Sequence, residues 1–362
     1  MNNCNKKDKV SAVDRMTSKD FQLDSYAHLD IFGHLIKDTV RTNSFKEVIY
    51  RNKHLFKGKT VLDIGCGIGL LSLFAAKAGA AKVIAVDCSK AVFYARQIVA
   101  DNKFNGIIKV IHGRIQDVDL QVSLNSIDII ISDWMGYCLF YQSILDAIIF
   151  ARDKWLKPGG LIFPDKAKLH ISAIEDQFRK NDKINWWRNV HGFNMKAIRK
   201  FALCEPRFCS VEADQVVTSS HLLKEIDLNT LTVKDLTFLT PFLIECKRNG
   251  HIDGIMTYFN VIFSKSHTKF GFNTAPWSPP THWMQSIFYF DEPISIQNGQ
   301  TFFGAFALKP IAGNMDHIDI CIEILTGEPL QIVGDIKCTL KRRTLITNTV
   351  PTPKKVDKKK KT

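Results

Sequence analysis

A glycine-rich loop carries the clearest chemical signal in the sequence. It follows the apolar run Thr60–Ile64, which is typical of a buried strand, and precedes a helical pattern that begins at Leu70. Glycines such as Gly65 and Gly67 let the backbone approach a ligand closely, at a helix N-terminus that favours negative groups. Asp87 ends the next strand-like run about 20 residues later, where a carboxylate can bind ribose hydroxyls. This order of elements predicts a nucleotide cofactor site, and the alternative is a glycine turn kept for packing.

The spacing of the loop argues against a dinucleotide. The dinucleotide fingerprint needs glycine at the sixth position counted from Gly65, and the residue there is Leu70. With Asp63 placed before the glycines, the run from Val61 to Gly69 resembles the first motif of class I S-adenosylmethionine-dependent methyltransferases. The resemblance implies a cofactor without a pyrophosphate, which presents an amino-acid group and two ribose hydroxyls instead.

A second motif narrows the resemblance to one family. Residues 132–143 read Ser-Asp-Trp-Met-Gly-Tyr-Cys-Leu-Phe-Tyr-Gln-Ser, and they resemble the loop of type I protein arginine methyltransferases, in which two glutamates flank Trp-Met-Gly-Tyr. Residues 281–283 resemble that family's Thr-His-Trp loop. Further similar segments lie at 26–28, 37–42, 151–160 and 186–187. The resemblance extends from about Asp20 to about Lys341, and by it the chain is identified as a member of the family.

The resemblance implies a role for each residue of the site. The cofactor is S-adenosylmethionine, no metal is expected, Arg41 pairs with the cofactor's carboxylate, and Gln116, where the family usually has an acid, borders its adenine. The other residues expected to hold the cofactor are Asp63, Gly65, Gly67 and Asp87. Asp133, Gln142 and His282 are expected to act on the acceptor, a guanidinium nitrogen of arginine. The implied substrates are histones and Gly/Arg-rich proteins, and the implied products are monomethyl- and asymmetric dimethylarginine.

The chain departs from the family at both glutamate positions, which Asp133 and Gln142 occupy. Arginine stays protonated at cellular pH, and two carboxylates hold its planar fork through bidentate, charge-assisted hydrogen bonds. Asp133 keeps the charge but is one methylene shorter, and misplacement on that scale costs about 100-fold in rate. Gln142 keeps the length but loses the charge, and a lost electrostatic partner costs on the order of 10²–10³ in rate. The leading hypothesis is therefore an arginine methyltransferase of impaired activity.

Two other hypotheses stay open. One is a catalytically silent paralogue that binds partners and pairs with an active relative, and the other is a methyltransferase that acts on another nucleophile. The silent paralogue is favoured by Gln22 and Leu23, which replace two aromatics of the family pattern, and by Phe32 and Leu35, which replace a histidine and a methionine. A lone histidine is usually structural, but the threonine and tryptophan that flank His282 favour a place in the site.

Helix and strand patterns alternate through the first half of the chain and then give way to short strand-like runs. The alternation predicts an α/β fold with a parallel, doubly wound sheet and a turn at 157–160 before its last strand. The resemblance makes this a Rossmann-like domain that binds S-adenosylmethionine. The later runs predict a mostly antiparallel domain, which the resemblance makes a β-barrel with a helical dimerisation arm. The predicted divisions are a flexible N-terminus at 1–20, N-terminal helices at 21–51, the methyltransferase domain at 52–164, the barrel at 165–341 with its arm at about 175–199, and a basic disordered tail at 342–362.

Charge and cysteine usage bound the function further. The chain has 362 residues and a net charge of +13, and the segment from Lys341 to Thr362 carries nine bases against one acid. Because most of the positive charge lies in this tail, the composition does not support a basic groove for nucleic acid in the folded part. Nucleic acid contact and nuclear import are candidate roles of the tail alone. Nine cysteines without paired spacing, and no long apolar run, indicate a reduced intracellular protein. The expected localisation is the cytoplasm and nucleus. The expected assembly is a homodimer or a heterodimer with a related methyltransferase.

Overall fold

The computed structural model describes residues 29–311, 314–326 and 331–340. The predicted flexible N-terminus at 1–20, the substituted positions Gln22 and Leu23, and the basic tail at 342–362 lie outside the described residues.

Two helices begin the described part of the chain, α1 (Leu29–Lys37) and α2 (Thr39–Arg51), and a short α3 (Lys53–Phe56) follows them. The helical stretch predicted over 21–51 is broken at Asp38. The carboxylate of Asp38 accepts the backbone N–H of Arg41 at 2.9 Å and so caps the N-terminus of α2. The break therefore gives the helix that carries Arg41 a fixed starting point.

The first region alternates strands and helices as the sequence predicts. Its elements are β1 (Thr60–Ile64), α4 (Leu70–Lys77), β2 (Lys82–Asp87), α5 (Ala91–Asp101), β3 (Ile108–His112), β4 (Ile127–Ile131), α6 (Leu145–Trp155) and β5 (Leu156–Phe163). The strands form a parallel sheet in the order β3-β2-β1-β4-β5. Because the strand order reverses at β1 and β4, the carboxyl ends of these strands border the crevice where such folds bind ligands.

The turn predicted at 157–160 lies inside β5 instead. Leu156 pairs with Ile127 and Leu161 pairs with Ile129, so four residues of β5 bulge out opposite a single residue of β4. Gly159 has a φ of 73°, which suits glycine, and it allows the chain to leave the sheet and return. Residues 157–160 therefore form a bulge within β5 rather than the predicted turn before the strand.

The second region consists of two antiparallel sheets. Its strands are β6 (Lys166–Ile174), β7 (Arg207–Cys209), β8 (His221–Asp227), β9 (Phe238–Glu245), β10 (Gly250–Phe263), β11 (Phe270–Asn273), β12 (Gln285–Ile296), β13 (Thr301–Ile311), β14 (Asn314–Thr326) and β15 (Gln331–Leu340). One sheet has the order β7-β12-β10-β6-β8 with β11 on β10, and the other has the order β15-β14-β13-β9. The sheets adjoin where β8 lies beside β9 and where β12 approaches β15. Buried phenylalanines from both, including Phe259 and Phe302, share one core, so the region is barrel-like.

The predicted arm is helical but not continuous. It consists of α7 (Gln177–Lys183), a 3-10 turn (Asn185–Arg188) and α8 (Lys196–Cys204). Between the last two, His191 and Gly192 have positive φ values of 51° and 89°, which reverse the chain. The insert predicted at 175–199 is therefore two helices, and the second continues to Cys204.

A buried polar network holds the base of the arm against the barrel-like region. Asp176 caps α7 and accepts a hydrogen bond from the Tyr289 hydroxyl at 2.6 Å. Lys180, which is also buried, lies 3.5 Å from Asp253. Since unpaired buried charges are costly, these contacts fix the position of α7.

No helix in the described part of the chain is long and apolar enough to cross a membrane. Within the same residues, no group of three or more His, Cys, Asp and Glu side chains is arranged to hold a metal ion.

Candidate cofactor and acceptor site

A cavity of about 1070 Å³ opens at the carboxyl ends of β1, β2 and β4 and extends to the antiparallel region. It is lined by eight of the nine residues predicted for the site: Arg41, Gly65, Gly67, Asp87, Gln116, Asp133, Gln142 and His282. We call the part lined by residues 65–68, Asp87 and Gln116 the cofactor half. The part lined by Asp133, Gln142 and His282 is the acceptor half.

The glycine loop forms one wall of the cofactor half. Gly65, Gly67 and Gly69 have φ values of 73°, 53° and 87°, a conformation that strains other residues. A Cβ atom on Gly65 would lie 3.0 Å from a methyl carbon of Ile144, whereas one on Gly67 would meet no protein atom within 4 Å. The loop therefore leaves its backbone open to a ligand, as a closely held nucleoside cofactor requires.

Asp87 lies at the end of β2 beside this loop. One of its carboxylate oxygens accepts the N–H of Gly67 at 2.7 Å, and the other accepts the N–H of Ser89 at 2.7 Å. These bonds fix the carboxylate in orientation. Each oxygen has a second lone pair, so the side chain can still accept the two hydroxyls of a ribose.

Asp63 lies beneath the loop and does not line the cavity. It is fully buried, and one of its oxygens accepts the Ser72 hydroxyl at 2.6 Å. The other oxygen has no hydrogen-bond partner among the described residues. Burial raises the pKa of this carboxyl to about 7, with an opposing hydrogen bond from Ser72 and a further increase from the charge of Asp87. The geometry thus places Asp63 under the loop rather than in the cavity lining, and its contact with a cofactor stays a prediction.

Arg41 and Asp133 form an ion pair between the two halves. Arg41 projects from the first turn of α2, and its Nε lies 2.7 Å from one oxygen of Asp133, which follows β4. Only 9% of the Arg41 side chain and 12% of the Asp133 side chain are exposed. The second oxygen of Asp133 is buried and lacks a partner within the described residues. One oxygen of Asp133 is therefore engaged, and one is available to a donor.

The loop that carries Gln142 is tightly folded. Trp134 is fully buried and donates its indole N–H to the Pro164 carbonyl at 3.1 Å. A Cβ atom on Gly136 would lie 2.0 Å from the carbonyl oxygen of Tyr141, so glycine is required there. Gln142 has a φ of 60°, and its side chain makes no hydrogen bond within the described part of the chain. A rigid loop thus places an uncharged side chain in the acceptor half.

His282 is fixed by Asp38, a residue that sequence reasoning missed. One oxygen of Asp38 accepts the backbone N–H of His282 at 2.9 Å and lies 2.8 Å from its Nδ1. Burial opposes the charge on Asp38, but hydrogen bonds from His282 and Arg41 outweigh it and hold the pKa below its usual value. Because a carboxylate only accepts, Nδ1 carries the hydrogen and Nε2 is the basic nitrogen. The same aspartate therefore caps the helix of Arg41 and sets the tautomer of His282.

The acceptor half has further walls that the sequence did not reveal. Phe178 and Arg179 on α7 line the cavity, and so does Phe208 on β7. Phe208 packs against Tyr137 with ring centroids 4.4 Å apart. These side chains come from distant parts of the chain, and nothing in the sequence indicated that they line one cavity.

The crevice between β1 and β4, the open glycine loop and the fixed carboxylate of Asp87 define a Rossmann-like domain that holds a nucleoside cofactor. Together with the motif at Val61–Gly69, they indicate a methyltransferase that uses S-adenosylmethionine.

Comparison with known proteins places it within that class. The model described as "Methyltransferase domain" matches residues 55–202, and the one described as "Arginine methyltransferase oligomerization subdomain" matches 165–327. The chain is 45% identical to protein arginine N-methyltransferase 8-B of Danio rerio over 316 residues. This alignment covers 87% of this chain and 75% of the relative. It is 46% identical over 312 residues to protein arginine N-methyltransferase 1 of Caenorhabditis elegans, with 86% and 90% covered. The chain belongs to the protein arginine methyltransferase family.

A solved structure agrees with this assignment. The Trypanosoma brucei PRMT1 enzyme-prozyme heterotetrameric complex with AdoHcy contains a chain that is 38% identical to this one, with a TM-score of 0.82. The similarity covers 88% of this chain and 100% of that chain. The predictions of the family, the fold class, the methyltransferase function and the cofactor are confirmed. The roles of the individual site residues stay predictions.

Proposed function

We propose that this chain transfers methyl groups from S-adenosylmethionine to guanidinium nitrogens of arginine in histones and Gly/Arg-rich proteins, more slowly than a site with two glutamates. The observation that carries the proposal is that Asp133, an acid suited to a guanidinium, lines the same cavity as the glycine loop and Asp87. The products are monomethyl- and asymmetric dimethylarginine.

The cofactor half binds and orients S-adenosylmethionine. When bound, S-adenosylmethionine supplies a methyl group on a sulfonium sulfur. Asp87 accepts ribose hydroxyls, and the backbone at Gly67 allows close approach. Arg41 uses Nε for Asp133 and keeps N–H groups of its fork for a carboxylate. This division lets one arginine serve both halves of the cavity.

The acceptor half holds a guanidinium less firmly than two carboxylates would. Asp133 accepts an N–H through its unpartnered oxygen. The amide oxygen of Gln142 accepts a second N–H without a charge. His282, with Nδ1–H directed to Asp38, uses Nε2 to take the proton that the methylated nitrogen releases. The loss of one charge therefore lowers the rate without removing the geometry.

Incubation of the protein with a radiolabelled methyl donor and a Gly/Arg-rich peptide tests the proposal. We expect slow incorporation of label at arginine, and a further loss of about 100-fold in Asp133→Asn. Asp117→Asn is the matched control, because Asp117 is an exposed acid outside the cavity lining. Label that appears on another residue type would overturn the assignment of the acceptor.

A silent partner is the second candidate function, and the Arg41–Asp133 ion pair favours it. The pair engages Asp133, the acid that stands at one of the two glutamate positions, at 2.7 Å. Both candidates retain cofactor binding, so calorimetry with S-adenosylhomocysteine cannot separate them. Absence of label in the assay above, from a folded protein that binds the cofactor product, would establish the silent partner instead.

We infer that the arm mediates dimerisation with a second copy or with a related methyltransferase. The oligomerization subdomain supports assembly. The arm also exposes large apolar side chains, including Trp186 at 49% and Phe193 at 69%. Since exposed apolar clusters mark interaction surfaces, Trp186→Ala together with Phe193→Ala should shift sedimentation from dimer to monomer. An intact protein that sediments as a monomer at high concentration would refute the inference.

We propose that the protein acts in the cytoplasm and nucleus. The observation behind this is the lysine-rich tail, which has the composition of import signals and of segments that contact nucleic acid. Imaging of a tagged protein should show less nuclear signal when residues 342–362 are removed. An unchanged distribution would contradict a role of the tail in import.

A further inference from the structure

Two side chains meet at the outer end of the cofactor half. Gln116 follows β3, and Asp146 lies in the first turn of α6; both line the cavity. The Nε2 atom of Gln116 donates to an oxygen of Asp146 at 3.5 Å. A carboxylate can only accept, so the amide must present its nitrogen to Asp146. The contact therefore favours the orientation in which Nε2 faces Asp146, and it leaves Oε1 to face another group.

The topology places the base of a nucleoside near this pair. Under the proposed function, Asp87 holds the ribose at the end of β2, and the glycine loop after β1 holds the other end of the ligand. β3 is the next strand beyond β2, with His112 paired opposite Asp87. A base that continues outward from the ribose therefore reaches residues 113–116, where Ile115 supplies an apolar contact and Gln116 supplies a polar one.

We propose that Asp146 is a positioning residue that makes Gln116 selective for an adenine 6-amino group. With Nε2 held by Asp146, Oε1 accepts an N–H of the amino group. A free amide would rotate and accept either a 6-amino or a 6-oxo purine, because it has a donor face and an acceptor face. The proposal rests on the cofactor named under the proposed function, and it concerns the choice of purine rather than methyl transfer.

Two ligands test the selectivity directly. Dissociation constants are measured by calorimetry for S-adenosylhomocysteine and for S-inosylhomocysteine, which carries a 6-oxo group. The unmodified protein should bind the 6-amino ligand on the order of 10–100-fold more tightly, because the 6-oxo group faces another acceptor. Asp146→Ala should bring the two constants to within about threefold, since the amide then rotates to suit either ligand.

The chain offers a matched control and a rescue. Gln97 donates to Asp101 at 2.7 Å on the exposed face of α5, so Asp101→Ala breaks a similar contact outside the cavity and should leave the ratio unchanged. Gln116→Glu in the Asp146→Ala background should restore the ratio, because a carboxylate accepts in either orientation. Circular dichroism confirms that each variant is folded.

The outcomes separate the proposal from the function on which it rests. A ratio that is unchanged in Asp146→Ala overturns the proposal, and so does an equal loss of affinity for both ligands, which a merely structural residue would produce. A protein that binds neither ligand overturns both the proposal and the cofactor assignment. The expected ratios without any methylation of peptide would leave the proposal standing and refute only the proposed transfer.

Discussion

The two halves of the cavity differ in how they are built and in how closely they keep the pattern of their family. The cofactor half is built around the consecutive backbone of the glycine loop and the carboxylate of Asp87, which two backbone N–H groups fix. The acceptor half is made of side chains from distant segments, and Asp133 and Gln142 there depart from the family pattern. The comparison teaches that cofactor binding and acceptor binding can change separately in one fold, with Arg41 as the side chain that joins them.

The largest expected effect lies beneath the cofactor half, at Asp63. Its pKa is raised from 3.8 to about 7 by burial, against the hydrogen bond from Ser72, and that shift corresponds to about 4 kcal/mol. Between these pH values the folded state keeps a proton that the unfolded state has lost, so this residue's contribution to the free energy of unfolding falls as pH rises. Asp63→Asn removes the titration and keeps an acceptor for Ser72. The free energy of unfolding of Asp63→Asn, minus that of the unmodified protein, should therefore increase by up to about 4 kcal/mol from pH 4 to pH 7.

Denaturant unfolding of both proteins at several pH values in that window measures the difference. A difference that does not depend on pH would show that Asp63 is ionised throughout and that the cofactor half rests on a buried charge.

Gly67→Val should damage the cofactor half alone. The residue has a φ of 53°, and its added side chain would project where no protein atom lies within 4 Å. Strain and occupation of the cavity should lower the affinity for S-adenosylhomocysteine about 100-fold in calorimetry. Gly58→Val is the matched control, because Gly58 also has a positive φ of 75° and open space but lies outside the cavity. Equal losses in the two variants would attribute the effect to general strain.

Arg41→Ala should affect both halves, unlike Gly67→Val. It removes a cation expected to bind the cofactor's carboxylate and leaves Asp133 as a buried charge without its partner. Affinity for S-adenosylhomocysteine should fall about 30-fold, and the methylation rate at saturating cofactor should fall as well. Arg51→Ala breaks the exposed pair with Glu47 and should change neither quantity. A loss of affinity for S-adenosylhomocysteine with an unchanged methylation rate would show that Arg41 does not act in the acceptor half.

Phe178→Ala should produce the smallest effect, confined to the acceptor half. The ring lines the cavity from the arm and is 88% exposed, so it gives up little packing within the chain. Loss of its contact with a peptide should raise the KM for peptide about fivefold and leave cofactor affinity unchanged. Leu239→Ala, an exposed apolar side chain on β9 away from the cavity, is the control. A change in cofactor affinity would mean that the two halves are not separable at α7.

The same contrast explains how much the sequence could predict. The glycine loop and Asp87 could be predicted because the strand, the loop, the helix and the acid follow one another in the sequence. The pairing of β1 with β2 then brings Asp87 within hydrogen-bond distance of the loop. Asp38 and Phe208 were missed because Asp38 meets His282, and Phe208 reaches the cavity, only after two regions pack together. The bulge in β5 and the break before α8 were missed because glycine marks a turn and a bulge alike. Local chemistry was therefore predictable, and contacts across the chain were not.

The most direct test of the account is the single-turnover methylation of a Gly/Arg-rich peptide at saturating cofactor, by the unmodified protein and by Asp133→Glu/Gln142→Glu. The double change restores the length of one carboxylate and the charge of the other, and both would hold one guanidinium. We predict a rate at least about 100-fold higher in the variant, because one recovered electrostatic contact is worth that much. Affinity for S-adenosylhomocysteine should stay the same, since the cofactor half is unchanged. Equal rates in the two proteins would contradict the account, because Asp133 and Gln142 would then already hold the acceptor as well as two glutamates do.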